Sequence, residues 1–392
     1  MKKYFILAAV AIAAMACAKN ETVPVIQKDI PVSFSVVNHL QQVKSTTGLT
    51  YPTSIPFGTF AWWTAGEWTG VAADQANVFM NNVQISWHSI APGESEVWAP
   101  AETYYWTKSG KITFASYSPY TASGTDKGYS EIPVYDVAKG FLFNNYTIVD
   151  GTDVDLMYAN LAANCSQTTN ADGSTVMDNL ASQSADSGYA GVPTIFNHAL
   201  CRIGFAFRAI GPKNPSVDTV AVRVDSVLIY NIDNKGSFDQ SASVKWTTDH
   251  ANYTDDYDFS PASPLEIGLI PNTAANVAST VNYTDLGENK ILLPQSLLSA
   301  NLATDQKLMV KYSILTHYSS NPAAASDPEY WAEEPLVSTV FLHSGNISAW
   351  LANQNITYRI SISPVTEAIT FDPAVVDWTD VYSSDVAVTP DE

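Results

Sequence analysis

Three features of the sequence predict an all-β protein built from two β-sandwiches in tandem. Short period-two patterns of apolar and polar residues recur every ten to twenty residues along most of the chain, the mark of strands with one face in a core. No long pattern with amphipathic helical spacing interrupts them. The chain has 392 residues, beyond the usual size of one domain, so two domains are expected. The clearest marker is Val192–Ile210, where the odd positions Cys201, Ile203, Phe205, Phe207 and Ala209 are apolar. The even positions Arg202, Gly204, Ala206 and Arg208 are small or charged. We read this stretch as the first strand of the second domain, one face buried and the other near water. The expected sandwiches are then residues 30–190 and 191–392.

The N-terminus concerns export. Lys2 and Lys3 precede an apolar run of thirteen residues, Tyr4–Ala16, too short to span a bilayer comfortably and placed as a cleaved signal would be. Ala14-Met15-Ala16-Cys17 resembles a bacterial lipobox. Ala16 is small enough for the peptidase, and Cys17 would become the lipidated first residue. Met15 and Ala14 depart from the preferred residues, and the alternative is an ordinary signal peptide with a cysteine near its end. On the first reading residues 1–16 are a lipoprotein signal peptide and 17–29 a tether. The acyl chains on Cys17 would anchor the protein in the cell outer membrane, each buried methylene contributing about 0.8 kcal/mol. Acidic residues outnumber basic ones 39 to 19, a net charge of -20, which repels phosphates and excludes a nucleic-acid partner. With only 15% charged residues and 11% aromatic ones, the composition is that of a chain with a large aromatic core rather than a disordered acidic one.

Strands follow in order. Val32, Phe34 and Val36 alternate with Ser33 and Ser35, and a polar loop runs from Gln41 to Ser54. Phe57–Trp63, Asn77–Ile85, Glu96–Trp98 and Ile112–Tyr117 read as strands between Pro, Gly and Asn turns. Asp153–Ala159 is a strand entering a long exposed loop, Asn160–Ala190. Beyond the marker, Val220–Tyr230 is β-branched, and Asn231–Phe238 turns into another strand. Asp249–Pro264 reads as an acidic, aromatic loop, and Ile291–Leu297 as a short buried piece. The alternations at Leu308–Ile314 and Ile356–Ile362 are strands, followed by Ala368–Phe371 and the tail after Trp378.

An ordered series of short motifs resembles the fimbrillin family, exported lipoproteins that build pili on Gram-negative anaerobes. Its members here are the lipobox at Cys17, Asp155-Leu-Met-Tyr-Ala159 and Phe196-Asn-His-Ala-Leu-Cys-Arg-Ile203. Ile229-Tyr-Asn231, Gly236-Ser-Phe238, Leu292-Leu-Pro-Gln-Ser-Leu297, Tyr358–Ile362, Ile369–Pro373 and Asp377-Trp378 follow. The resemblance implies two transthyretin-like β-sandwich domains and assembly by strand exchange. A protease removes the first strand, here Pro31–Val37, and a neighbour's terminal strand fills the groove. Its partners would be other pilus subunits, with a host receptor or glycan for an adhesive member. Val381, Val386 and Val388 make the tail a candidate donor strand. Family members are cut after a basic residue, often Arg, but no Arg precedes Arg202, and Lys44 is the only basic residue in the loop after the first strand. Either a Lys-tolerant protease acts at Lys44, or the strand is kept and the subunit is an anchor or terminal unit.

Enzyme chemistry finds no support. His39, His88, His198, His250, His317 and His343 are scattered, and no Cys-x-x-Cys, His-Glu-x-x-His, Gly-x-Ser-x-Gly or phosphate loop occurs. No catalytic residue, metal or cofactor is expected. His198 reads as a hydrogen-bonded structural residue. Asp153 and Asp155 share a strand face and read as solvated edge charges, and Glu333-Glu334 as a charged turn. Asp255-Asp256-Tyr257-Asp258 reads as a solvated acidic loop, with calcium as the competitor. Asp218-Thr-Val220 and Asp225-Ser-Val227 resemble an O-glycosylation pattern of exported proteins. Trp62, Trp63, Trp68, Trp87, Trp98 and Trp106 crowd the first half. Core packing explains most, and a surface row that stacks on sugars, for polysaccharide capture or uptake, is the alternative. Adjacent Trp62 and Trp63 must face opposite sides, so both are not expected in a core. Cys165 and Cys201 are open to a disulfide in an exported protein, but Cys201 on an apolar face favours a free buried thiol.

Overall fold

The computed structural model describes residues 31–38, 51–90, 92–93, 95–149, 154–169, 175–178, 191–211, 219–278, 282–317, 331–363 and 368–377. Their regular secondary structure is almost entirely strand. In chain order the elements are β1 (Phe34–Asn38), β2 (Phe57–Thr64), β3 (Val78–Ser89), β4 (Glu96–Pro100), β5 (Lys111–Ser118), β6 (Val134–Asp136) and β7 (Gly140–Thr147). Then come β8 (Met157–Ala159), β9 (Ala162–Thr169), β10 (Thr175–Asp178), β11 (Val192–His198), β12 (Cys201–Gly211), β13 (Thr219–Asp233), β14 (Lys235–Asp239) and β15 (Trp246–Thr248). The last are β16 (Thr254–Asp258), β17 (Leu265–Pro271), the short helix α1 (Ala274–Ala278), β18 (Thr284–Leu292), β19 (Lys307–His317), β20 (Trp331–Phe341), β21 (Gln354–Ser363) and β22 (Ala368–Asp377).

The first sheet has the order β10-β9-β5-β2-β3-β4-β1-β11-β8, and β8 also pairs with β5. The strands from β5 round to β8 therefore close into a hydrogen-bonded ring, which removes free edges. Each of them sends apolar side chains into one core: Phe34, Phe57, Met80, Ile85, Trp98, Phe114, Met157 and Phe196 among them. The second sheet runs β20-β19-β13-β17-β12-β21-β22, with β16 on β13 and β18 on β12. β17 joins its halves, pairing β13 through Leu265–Gly268 and β12 through Leu269–Pro271. Alternate residues of β12 and β21 (Phe205, Phe207, Tyr358, Ile360) share a core with those of β13 and β19 (Val224, Ile229, Val310, Tyr312). That is the packing of a sandwich.

A third sheet, β15-β14-β7-β6, takes strands from both halves of the chain. Its aromatic face, Phe141, Phe143, Tyr146, Phe238 and Trp246, packs on the outer side of the ring at Phe60, Trp62, Ala115 and Tyr117. Consequently β2 is packed on both faces. Trp62 joins this outer core while Trp63 packs partly buried against the ring core. As expected of neighbours on a strand, the two tryptophans face opposite sides, and only Trp62 is buried in a core.

Val192–Ile210 also differs from its reading. It is two strands in two sheets: β11 lies in the ring between β1 and β8, and β12 begins the second sheet. The apolar phase shifts at the break, from even positions (Val192, Phe196) to odd ones (Cys201, Ile203). Most of the even face of β12 is also sealed from water: Gly204, Ala206 and Arg208 are buried, and Arg202 is half-buried. Arg208 is buried, donating to the carbonyls of Asn276 (2.8 Å) and Val277 (3.0 Å) at the end of α1. The stretch read as a loop at Asn160–Ala190 contains β9 and β10, and β9 puts Cys165 into the ring core. Within Asp249–Pro264, β16 pairs with β13 and buries Tyr257.

Candidate functional site

The resemblance directs attention to the first strand, and β1 occupies a distinctive seat. It runs parallel to β11 over five residue pairs, Phe34↔Val192 to Asn38↔Phe196. On its other side it meets β4 at a single pair, Phe34↔Trp98. Just upstream, Val32 donates its N–H to Tyr104 O (2.8 Å), and the Val192 N–H reaches Ser33 O (2.8 Å). Gly191 permits that approach, because a Cβ there would lie 2.7 Å from Ser33 O. The alternation expected at Val32, Phe34 and Val36 places Val32 and Phe34 in the ring core, with Val36 packed against it. The Phe34 ring meets Phe57 and Phe114 edge to face, both with centroids 5.6 Å away. Tyr51, where the chain returns, stacks on Phe196 at 5.1 Å and hydrogen-bonds Ser118 Oγ at 2.6 Å. Without β1 the ring would open between β4 and β11, leaving a long unpaired strand edge above exposed core aromatics.

Cys17, Lys44, Val381, Val386 and Val388 lie outside the described residues, as do Asp153 and the tail after Asp377. Cys165 and Cys201 are free thiols in separate cores. His198 has the structural role expected of it: its Nδ1 hydrogen-bonds Asp155 Oδ2 at 2.7 Å. Asp155, however, is not a solvated edge charge. It is buried at the junction of β8 with the ring, and its Oδ1 has no hydrogen-bond partner. Glu333 lies on a strand rather than a turn, paired with Arg223, which also holds Asp225 at 2.7 Å. Arg223, with help from Ser313, keeps the Glu333 carboxyl below its ordinary pKa. The acidic run at Asp255 is also a strand, with Asp256 accepting from the Asn231 N–H (3.1 Å) and Asp258 from the Ser260 N–H (2.8 Å). Among the described residues no three His, Cys, Asp or Glu side chains are placed to share a metal ion. The Ser226 hydroxyl accepts from Ser260 Oγ at 2.9 Å. The tryptophans form no surface row: Trp62, Trp98 and Trp106 are buried, and exposed Trp87 spends its indole N–H on Glu96 (2.9 Å).

One polar centre carries no motif. Asp233, at the end of β13, holds Thr248 Oγ1 with one oxygen and His250 Nδ1 with the other, and His250 Nε2 reaches Thr304 O at 2.8 Å. Burial opposes charge on this imidazole, but the Asp233 carboxylate and the Thr304 carbonyl outweigh it and raise its pKa above the ordinary 6.5. Gln295 Oε1 accepts the Asp233 N–H (2.9 Å), and Gln306 Oε1 accepts the Leu298 N–H (2.8 Å). This network ties the third sheet to the second. It brings together residues more than seventy positions apart, Asp233 and Gln306 among them, so no local pattern announces it.

The described residues form a nearly all-β set of interlocked sheets with the first strand seated in a closed ring. Residues 56–378 match the family model described as Fimbrillin-like. The chain belongs to the fimbrillin-like family. In fold it is similar to the crystal structure of a fimbrial protein from Bacteroides vulgatus ATCC 8482, with 18% identity and a TM-score of 0.55 over 89% of this chain and 99% of that one. A Bacteroides uniformis ATCC 8492 protein, provisionally named for cell adhesion, aligns at 14% identity and a TM-score of 0.41 over 89% and 99% of the two chains. No curated protein matches the chain.

Proposed function

We propose that the protein is a structural or adhesive subunit of a cell-surface pilus, assembled by strand exchange after export as a lipoprotein. The observation that carries this reading is the seat of β1, paired along its length on one side and at one residue pair on the other. On this reading Cys17 bears the lipid that holds the subunit at the outer membrane. Cleavage after Lys44 frees β1, and a neighbouring subunit's tail, through Val381, Val386 or Val388, enters the opened ring. The replacement regains both backbone pairing and apolar burial, so one strand supplies the whole joint. The same reading takes residues 30–190 and 191–392 as two transthyretin-like units, interlocked through β11 and the β14–β15 hairpin. The test is to clip the mature protein with a Lys-specific protease and look for SDS-resistant ladders. Ladders that require both the clip and the tail support exchange. Persistent monomers that have lost β1 refute it, and clipped protein that retains β1 points to an anchor or terminal unit.

A further inference from the structure

Beside the Asp233–His250 network, where the β14–β15 hairpin faces the segments after β18 and before β21, lies a cavity of about 550 Å³, within the range of small-molecule sites. Its base is polar and buried, formed by Asp233, Gln295 and Gln306. Trp246 and Trp350 line it as fixed walls, because their indole N–H groups are held by Ala199 O (2.6 Å) and Tyr358 Oη (2.9 Å). The mouth is apolar and open: Val244 is 69% exposed, Leu351 53% and Leu298 43%. Sugar contact by a tryptophan row was the alternative for the first half of the chain; this cavity lies in the second half and offers different groups.

The charges in the lining are engaged. Asp233 and His250 pair with each other, and the Lys245 ammonium donates to Gln240 O, so a charged ligand meets no free counter-charge. Hydrogen-bonding capacity nevertheless remains. The hydroxyls of Ser243, Thr247 and Ser296 face no protein partner among the described residues. Each Asp233 carboxylate oxygen accepts one bond, from Thr248 Oγ1 or His250 Nδ1, and keeps a second lone pair. Gln306 Nε2 makes only long contacts, 3.3 Å to Gln295 Oε1 and 3.2 Å to Ser296 O. A ligand rich in hydroxyls matches this lining, since each hydroxyl both donates and accepts, and its C–H surface matches the apolar mouth. We propose that the cavity binds a neutral saccharide, its C–H face on Leu298 and Leu351 and its hydroxyls on Ser243, Thr247 and Ser296. Such a site deepens the adhesive half of the reading above and needs neither cleavage nor strand exchange.

Saturation-transfer NMR on the unclipped mature protein tests it, with glucose, galactose, mannose, N-acetylglucosamine and lactose as probes. At least one should bind saturably with a Kd below about 10 mM. Thr247→Val removes an exposed hydroxyl while keeping the side chain's shape, and should weaken that binding about threefold to tenfold. Leu351→Trp should abolish it by filling the mouth. Both positions are exposed, so neither change threatens the fold, and Val337→Thr, at an exposed position of β20 outside the cavity, should change nothing. Absence of saturable binding with every probe overturns the proposal, as does binding that Thr247→Val and Leu351→Trp both leave unchanged. Cyclohexanol binding as tightly as the best sugar overturns it too, because the cavity then reads apolar surface alone. Glucuronic acid binding more tightly than glucose overturns the neutral class. Since the protein is never clipped, a failure here is separate from a failure to form SDS-resistant ladders.

Discussion

If β1 is held by its core face, Phe34→Ala should be the most damaging single change in the strand. Phe34 is 5% exposed and packs edge to face on Phe57 and Phe114. Phenylalanine-to-alanine changes in cores cost about 3–5 kcal/mol, including the cavity left behind. β1 meets β4 at only one residue pair, so the seam can relax, which places the expected loss near the lower end, about 3 kcal/mol. Ser35, the next residue, points away from that core and is half-buried, and Ser35→Ala should stay within about 0.5 kcal/mol. The assay is urea unfolding followed by tryptophan fluorescence, since Trp98 and Trp106 lie in the same core. A loss below about 1 kcal/mol for Phe34→Ala, or equal losses for both variants, would refute the reasoning that β1 completes the ring. In clipped protein the same change should release the β1 peptide faster, seen as earlier loss of its mass on dilution into buffer.

Three further outcomes follow from buried groups. Asp155→Ala takes away the buried hydrogen-bond partner of His198 Nδ1, and such a loss should cost about 1–3 kcal/mol in urea unfolding; a loss under about 0.5 kcal/mol would show that the pair is not structural. His250 has a folded pKa above its unfolded 6.5, so its contribution is fully present below pH 6.5 and is lost as pH rises through the raised folded value. Stability measured from pH 6 to pH 8.5 should therefore fall more steeply in the native chain than in His250→Gln, and parallel curves would contradict the assignment. Burial pushes the Cys165 thiol up to about 12 and raises that of Cys201 as well. Neither should label with a maleimide at pH 8 until denaturant is added, and a Cys165–Cys201 disulfide in the mass map would contradict the separate cores.

The sequence exposed the fold class through period two, and it located β1, β12, β19 and β21 because each pairs one apolar face with a more polar one. It misled where that premise fails. β2 has cores on both faces, so the face of Trp63, opposite the buried Trp62, is packed as well, though only partly buried. Asp155 looked like an edge charge because nothing local shows that β8 is sealed between β5 and β11. The β9–β10 hairpin was hidden by Ser, Asn and Thr, residues that read as loop yet serve as strand when a neighbour supplies the ladder. At the candidate site, Val32, Phe34 and Val36 were legible as an alternating strand. Their parallel pairing with β11 was not, because a contact across more than 150 residues leaves no spacing to read.

That pairing constrains a replacement strand in a way composition alone cannot. β1 and the residues just before it present Val32, Phe34 and Val36, every second residue, to the ring core, and a substitute must offer apolar side chains with the same period. In the tail the even positions are Tyr382, Ser384, Val386 and Val388, and the odd ones Val381, Ser383, Asp385 and Ala387. Val381 therefore cannot share a strand face with Val386 and Val388, and the odd face would drive Asp385 into the core. An unpaired carboxylate there costs several kcal/mol, about a hundredfold or more in joint stability. The even face is the one that fits. Val386→Asp or Val388→Asp should then abolish the SDS-resistant ladder of clipped protein, while Val381→Asp should leave its yield within about twofold. If Val381→Asp blocks assembly as completely as Val386→Asp, the tail does not enter the ring as a regular strand, and the joint must be made another way.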